Sequence, residues 1–319
     1  MLFPIKHKEK YGLIDGSGRV VVPARFDFAI DDSWGYGVVA DGSRWVIFSN
    51  DGSKKGSVEC DLVSRFRYGL ALVDIGDKCG YCNSLGELVV PAVYDFGRPH
   101  TEIGAVVKRD GVWGLIDAEG KLIQEFRHDQ IGNVFSESEG LFSTEQSGRY
   151  GYLDRNSRWV VPPAYGHGNS FSEGVAAVWN EGRWAFIDKV GRQVTGFDYT
   201  LAQNYSCGLC TVAREGLSGM YYIDAKGTPV SEAYTACKEF VEGLSAVYVG
   251  GEINIHNFAE GGRWVVVDTK FRTVYDNKLT GVELLPGGLV RIYTGATFND
   301  EARMGYIDRM GNVVWKPSR

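Results

Sequence analysis

Seven aspartates recur at matched places along this chain: Asp15, Asp117, Asp154, Asp188, Asp224, Asp268 and Asp308. Paired carboxylates are what many hydrolases use as acid and base. Two Cys-x-x-Cys pairs also stand out, Cys79 with Cys82 and Cys207 with Cys210. Such pairs can close on zinc or run thiol exchange. Asp300 and Glu301 lie side by side, and five histidines are scattered through the chain (His7, His100, His128, His167, His256).

Each of these has a plainer reading. Asp15 stands three residues before Gly18, which is the pattern of a type I turn, and the other aspartates sit at the same place in similar stretches. They are read as side-chain caps on turns. Zinc pairs lie about 15–20 residues apart, whereas here Cys82 and Cys207 are separated by 125 positions. Residues three apart on a strand point to opposite faces, so the cysteines are read as core substitutions. No histidine has a partner at ligand spacing. The G-x-S-x-G, P-loop and H-E-x-x-H patterns are absent. The expectation is no catalytic set, no metal and no cofactor; a hydrolase using Asp300 and Glu301 is the weakest alternative.

What places these residues is a repeat. The pattern aromatic-Gly-x-Ile-Asp-x-x-Gly puts its aromatic slot at Tyr11, Trp45, Cys79, Trp113, Tyr150, Trp184, Met220, Trp264 and Met304, with spacings of 34, 34, 34, 37, 34, 36, 44 and 40. Each unit reads as three short strands. Strand one is KYGLID (Lys10 to Asp15), strand two RVVVP (Arg19 to Pro23), and strand three GVVA (Gly37 to Ala40), with a loop carrying Phe26 and Asp27 before the last. In RWAFID, Trp184 and Phe186 share one face of the strand and Ala185 and Ile187 the other. Both faces are apolar, so each unit must be covered by its neighbours. The glycine after the ring (Gly12, Gly114, Gly151, Gly305) leaves room for close approach.

The fold expected is therefore all-β: about nine tandem three-stranded repeats in one domain over residues 1–319, closed as a β-propeller-like toroid. An open β-solenoid is the alternative. The N-terminal strand, about residues 2–9, is expected to complete the last repeat.

KYGLIDGSG, VWGLIDAEG and RYGYLDRNS, with VVVPARFD, LVVPAVYD and FSEGVAAV, resemble the WG (KWG) β-repeat family of bacterial proteins. The resemblance implies binding or scaffolding repeats, similar to those of some immunity proteins that neutralise secreted toxins. Ser49 and Asn83 replace the aspartate, Met220-Tyr221 the aromatic-Gly pair, and Val265 the glycine.

Composition fits a protein-binding repeat. Hydrophobic residues make up 44% and charged residues 23%, with a net charge of -6. No basic cluster suggests nucleic acid, and no apolar run suits a membrane span. The opening residues lack an apolar signal region, so a cytoplasmic setting is expected. Binding residues are sought where the period stretches, because insertions in repeats become loops. The largest stretch, Tyr248 to Trp264, offers Glu252, Asn254, His256, Asn257, Phe258 and Glu260. The second, Tyr293 to Gly305, offers Phe298, Asn299, Asp300 and Glu301; a third is Phe126 to Gly140. The function expected is a non-enzymatic protein-binding module, most specifically a cytosolic immunity protein that binds and neutralises a bacterial toxin. The alternative is a carbohydrate- or ligand-binding propeller.

Overall fold

The computed structural model describes residues 1–33, 35–126, 133–253, 259–295 and 303–318. Among them are strands and turns and no helix. The chain divides into two compact units, Met1–Gly140 and Leu141–Pro317. In the first unit, Leu2–His7, Lys10–Asp15 and Val20–Phe26 form one sheet. Phe28–Ser33, Tyr36–Asp41, Arg44–Ser49 and Lys54–Glu59 form the second. Leu62–Val63, Ala71–Ile75, Lys78–Cys82 and Leu88–Tyr94 make the third, and Phe96–Gly97, Ala105–Arg109, Val112–Ile116 and Leu122–Phe126 the fourth. The second unit continues in the same style with antiparallel meanders, among them a six-stranded sheet from His167–Gly168 to Tyr221–Asp224.

Nine three-stranded units are corrected to eight sheets among the described residues, most of them four-stranded. The stretch read as a loop after strand two supplies the added strand, as at Leu62–Val63, Phe96–Gly97 and His167–Gly168. The repeats of Trp184 and Met220 share the six-stranded sheet. Strand three pairs with the strand one that follows it, because the link between them is a two-residue hairpin turn. Arg109 faces Val112 across Asp110-Gly111, and both linking residues have positive φ, 49° and 83°, as a type I′ turn demands. By the same rule Leu2–His7 pairs with Lys10–Asp15, Phe3 facing Ile14. It belongs to the first sheet.

Most cores are shared between sheets, and the six-stranded sheet also has one of its own, with Phe186, Tyr199, Val212 and Ile223. In the first unit, Leu13, Val22, Val39 and Phe48 gather from the first two sheets, Ile47, Val58, Phe66 and Val73 from the second and third, and Tyr81, Val90, Val107 and Ile116 from the third and fourth. The second unit does the same: Leu244, Val266, Val282 and Ile307 gather from its last two sheets. Strand one is buried on both faces as expected, with Ala185, Phe186 and Ile187 almost fully enclosed. The glycine after the ring admits the backbone of strand two. A Cβ on Gly151 would lie 2.6 Å from the Val161 carbonyl oxygen. Tyrosines stitch one sheet to the next: Tyr81 donates to Arg98 O at 2.7 Å, and Tyr152 to Asn169 O at 2.6 Å.

The repeated aspartates are turn caps. Asp154 Oδ1 accepts the Asn156 and Arg158 amides at 2.8 and 2.9 Å. Asn83 Oδ1 accepts those of Leu85 and Glu87 in the same way. At Asp154 the cap is the acceptor oxygen, which an amide can also supply. Asp154→Asn is therefore expected to leave stability nearly unchanged, whereas Asp154→Ala costs about 1 kcal/mol for the stranded amides, read by chemical denaturation.

His100 occupies a buried slot that Phe66, Phe171 and Phe240 fill in other repeats. Its Nδ1 lies 2.7 Å from Thr101 O and its Nε2 has no partner. Burial holds its pKa below the usual 6.5, against weaker upward pulls from Thr101, Asp117 and Glu119. The unfolded chain thus takes up the proton first. The stability that His100 contributes is fully present above about pH 7.5 and is lost as pH falls below about 6.5. His100→Phe is expected to flatten that part of a Tm-against-pH profile.

Candidate interaction surfaces

The longest strands are Leu244–Ile253 and Ala259–Asp268, of ten residues each. Their register runs unbroken in direction from Leu244 facing Asp268 to Ile253 facing Ala259. The root of this hairpin is held firmly. Val247, Val265 and Val267 are buried, and Tyr248 packs edge-on against Trp264 with centroids 5.3 Å apart. Lys238 Nζ stands 5.0 Å over the Trp264 ring, and its burial pulls its pKa down.

Beyond the root the hairpin thins to a neck of glycines. Gly250 faces Gly262, and Gly250, Gly251 and Gly261 all have positive φ. A Cβ on Gly251 would strike the Glu260 carbonyl. Gly262 N donates to Tyr248 Oη at 3.1 Å, and Thr235 Oγ1 to Gly250 O at 3.1 Å. Outside the neck, exposed Glu252 faces Glu260 across the ladder. With Gly251 and Gly261 they line an open cleft of about 510 Å³. Like charges placed opposite each other on a ladder weaken it.

Of the residues singled out in the sequence, the structure thus brings together Glu252 and Glu260. Asn254, His256, Asn257, Phe258, Phe298, Asn299, Asp300 and Glu301 lie outside the described residues. Cys79, Cys82 and Cys210 are buried and Cys207 is exposed, none in a disulfide. Burial pushes the Cys79 thiol up to about 11 and that of Cys82 to about 12, so both stay protonated near neutrality. Among the described residues no three His, Cys, Asp or Glu side chains are placed to hold a metal ion.

The first unit carries two clefts that the sequence did not announce. One, of about 450 Å³, is lined by Tyr94, Val107, Arg109, Trp113, Leu122 and Glu125 among others; buried Trp113 has an indole N–H with no partner. The other, of about 480 Å³, lies around Lys78 and Cys79. Its only trace in the sequence is a cysteine standing where the repeat has a ring.

An all-β chain of small antiparallel meanders sharing inter-sheet cores defines a repeat β-propeller, and the likeness to solved structures agrees. A crystal structure of a eukaryotic initiation factor is similar over 98% of this chain and 94% of its own, at 10% identity and a TM-score of 0.69. A dihydro-heme d1 dehydrogenase, NirN, in complex with DHE is similar over 93% of this chain and 77% of its own, at 13% identity and a TM-score of 0.53. Nothing in these likenesses supports the open solenoid. The chain carries WG repeats: the family model of the WG containing repeat matches residues 11–45, 80–101, 150–184 and 222–252. No curated protein matches the chain. The repeat β-propeller fold suggests a protein-binding or ligand-binding module.

The neck makes a direct prediction. Gly251→Ala puts a Cβ against the Glu260 backbone at a positive φ. It is expected to open the hairpin beyond Val249, raising amide exchange there at least tenfold while the global Tm moves by only a few degrees.

Proposed function

We propose that this chain is a non-enzymatic protein-binding module that grips its partner with the long hairpin of residues 244–268. The observation that carries this reading is the hairpin itself. Its strands are three residues longer than the next longest among the described residues, and it is held firmly at its root and carries exposed carboxylates beyond a glycine neck. A sheet gains nothing for its own core from such an extension, so its use lies outside the fold. Exposed Glu252 favours a partner with a cationic contact surface.

In its sharpest form the reading is a cytosolic immunity protein that binds and neutralises a bacterial toxin; the resemblance of the repeats is its support. A second reading, a carbohydrate- or ligand-binding propeller, draws on the cleft of about 450 Å³ lined by Tyr94 and Trp113.

The test is affinity purification of the tagged chain from its own cells, beside a variant lacking residues 251–261, with mass spectrometry of both. One stoichiometric partner, lost with the deletion, is expected. A partner retained by the deletion variant overturns the role of the hairpin. Capture of no protein, together with binding on a glycan array, moves the assignment to the second reading. A toxin domain as the partner, with cells protected by the intact chain alone, bears out the sharpest form.

A further inference from the structure

The aromatic slots make a periodic row with the residues seventeen positions further on. Phe28 lies 6.2 Å from the ring of Trp45, Phe96 5.8 Å from that of Trp113, and His167 5.7 Å from that of Trp184. In each case a side chain on the first strand of a sheet lies beside the ring of the following slot. The pair Leu62 and Cys79 holds the same places in the third sheet of the first unit. There the ring is missing, because Cys79 brings only a buried thiol.

What remains is the cleft of about 480 Å³. Leu62 and Phe96, 52% and 41% exposed, line it together with Leu72. Gly97 and Cys79 close its floor; a Cβ on Gly97 would lie 3.1 Å from Cys79 Sγ. Asp61, Asp74, Asp77 and Asp95 ring it, against Lys78 alone. Lys78 Nζ is 2.5 Å from Asp95 Oδ1, so those two neutralise each other. Asp61 accepts the Gly76 amide at 2.7 Å. The lining is thus left with three carboxylates around an apolar slot of the kind that a flat ring fills elsewhere in the row.

We infer that this slot docks an arginine side chain presented by a partner protein. The chemistry selects arginine on two counts. Its guanidinium is flat and stacks on an aromatic ring, as the chain's own Arg98 already does on Phe96 with Cζ 4.7 Å from the centroid; the partner's arginine would use the face of Phe96 that Arg98 leaves. It also carries a fixed charge whose N–H fork matches carboxylates, while its methylene stem can lie along Leu62 and Leu72. A neutral aromatic residue would leave the carboxylates unanswered, and a lysine would not use the flat slot. This surface lies in the first unit, apart from the hairpin, and its test does not depend on the hairpin reading.

The test is an NMR titration of the full ¹⁵N-labelled chain with three probe peptides: acetyl-Gly-Arg-Gly-amide and its lysine and citrulline counterparts. Citrulline keeps the shape of arginine and removes the charge. Saturable shifts at the amides of Leu62, Gly76 and Phe96 are expected with the arginine peptide, at least tenfold weaker with citrulline and severalfold weaker with lysine. Cys79→Trp restores the ring and is expected to abolish those shifts while keeping the Tm within a few degrees. Should that variant fail to fold, the double change Asp74→Asn with Asp77→Asn is read instead, with affinity expected to fall at least threefold. Absence of shifts, equal binding of citrulline or lysine, or arginine binding unchanged in the folded variants overturns the inference.

Discussion

Everything in this structure depends on strands that are apolar on both faces. Trp184 and Phe186 point one way and Ala185 and Ile187 the other, and a single small sheet cannot cover both. Most sheets therefore borrow core from their neighbours, as the clusters shared by successive sheets record. From that one demand follow the near-constant period and the glycine that lets strand two close over strand one. The aspartate that caps the turn between them follows too. Tyr81 and Tyr152 belong to the same logic, since each spends its hydroxyl on the backbone of the adjoining sheet. Such bonds are worth little singly, but they fix the spacing between layers whose apolar contacts are not directional.

The same periodicity explains which parts of the fold were legible. Ring, glycine and turn could be read from the residues because each is a local necessity. The sheet boundaries could not, because a repeating series has no natural starting point. Strands one, two and three describe the sequence equally well wherever the cut falls. The deciding chemistry was in the hairpin links: Asp110-Gly111 is a tight-turn pair, and it joins strand three to the next strand one. The merger of two repeats was hidden for another reason. After Trp184 the second strand is reduced to a bridge between Ile187 and Gln193, and Tyr199–Ala202 then spans to the following hairpin. Nothing in residue type marks a strand that pairs on both sides.

The candidate surfaces divide in the same way. The hairpin was legible as a stretch of the period, since an insertion lengthens what it interrupts. Its glycine neck and the facing of Glu252 on Glu260 needed the register. The cleft at Cys79 was far less legible, because it is made by something missing. A cysteine in a ring slot reads as a tolerated small residue in a core. Only the positions of Leu62 and Phe96 reveal that the space it leaves opens outward.

A repeat protein constrains where binding can arise. Positions that hold neighbouring sheets together are spoken for: replacing the ring at Trp45 would disturb contacts on which two layers rely. Sites free to acquire a partner are those where the pattern lapses without loosening a layer. The extension beyond Val249 meets this condition by growing away from the buried root. The slot at Cys79 meets it differently, since Tyr81 and Cys82 on the same strand remain fully enclosed while the outer end of that strand loses its ring. One lapse adds chain and the other removes a side chain, yet both leave carboxylates beside accessible surface. Acidic groups there cost the fold little because they stay solvated until a cation replaces the water, which is why a scaffold of this kind can carry them at its departures and not in its repeats.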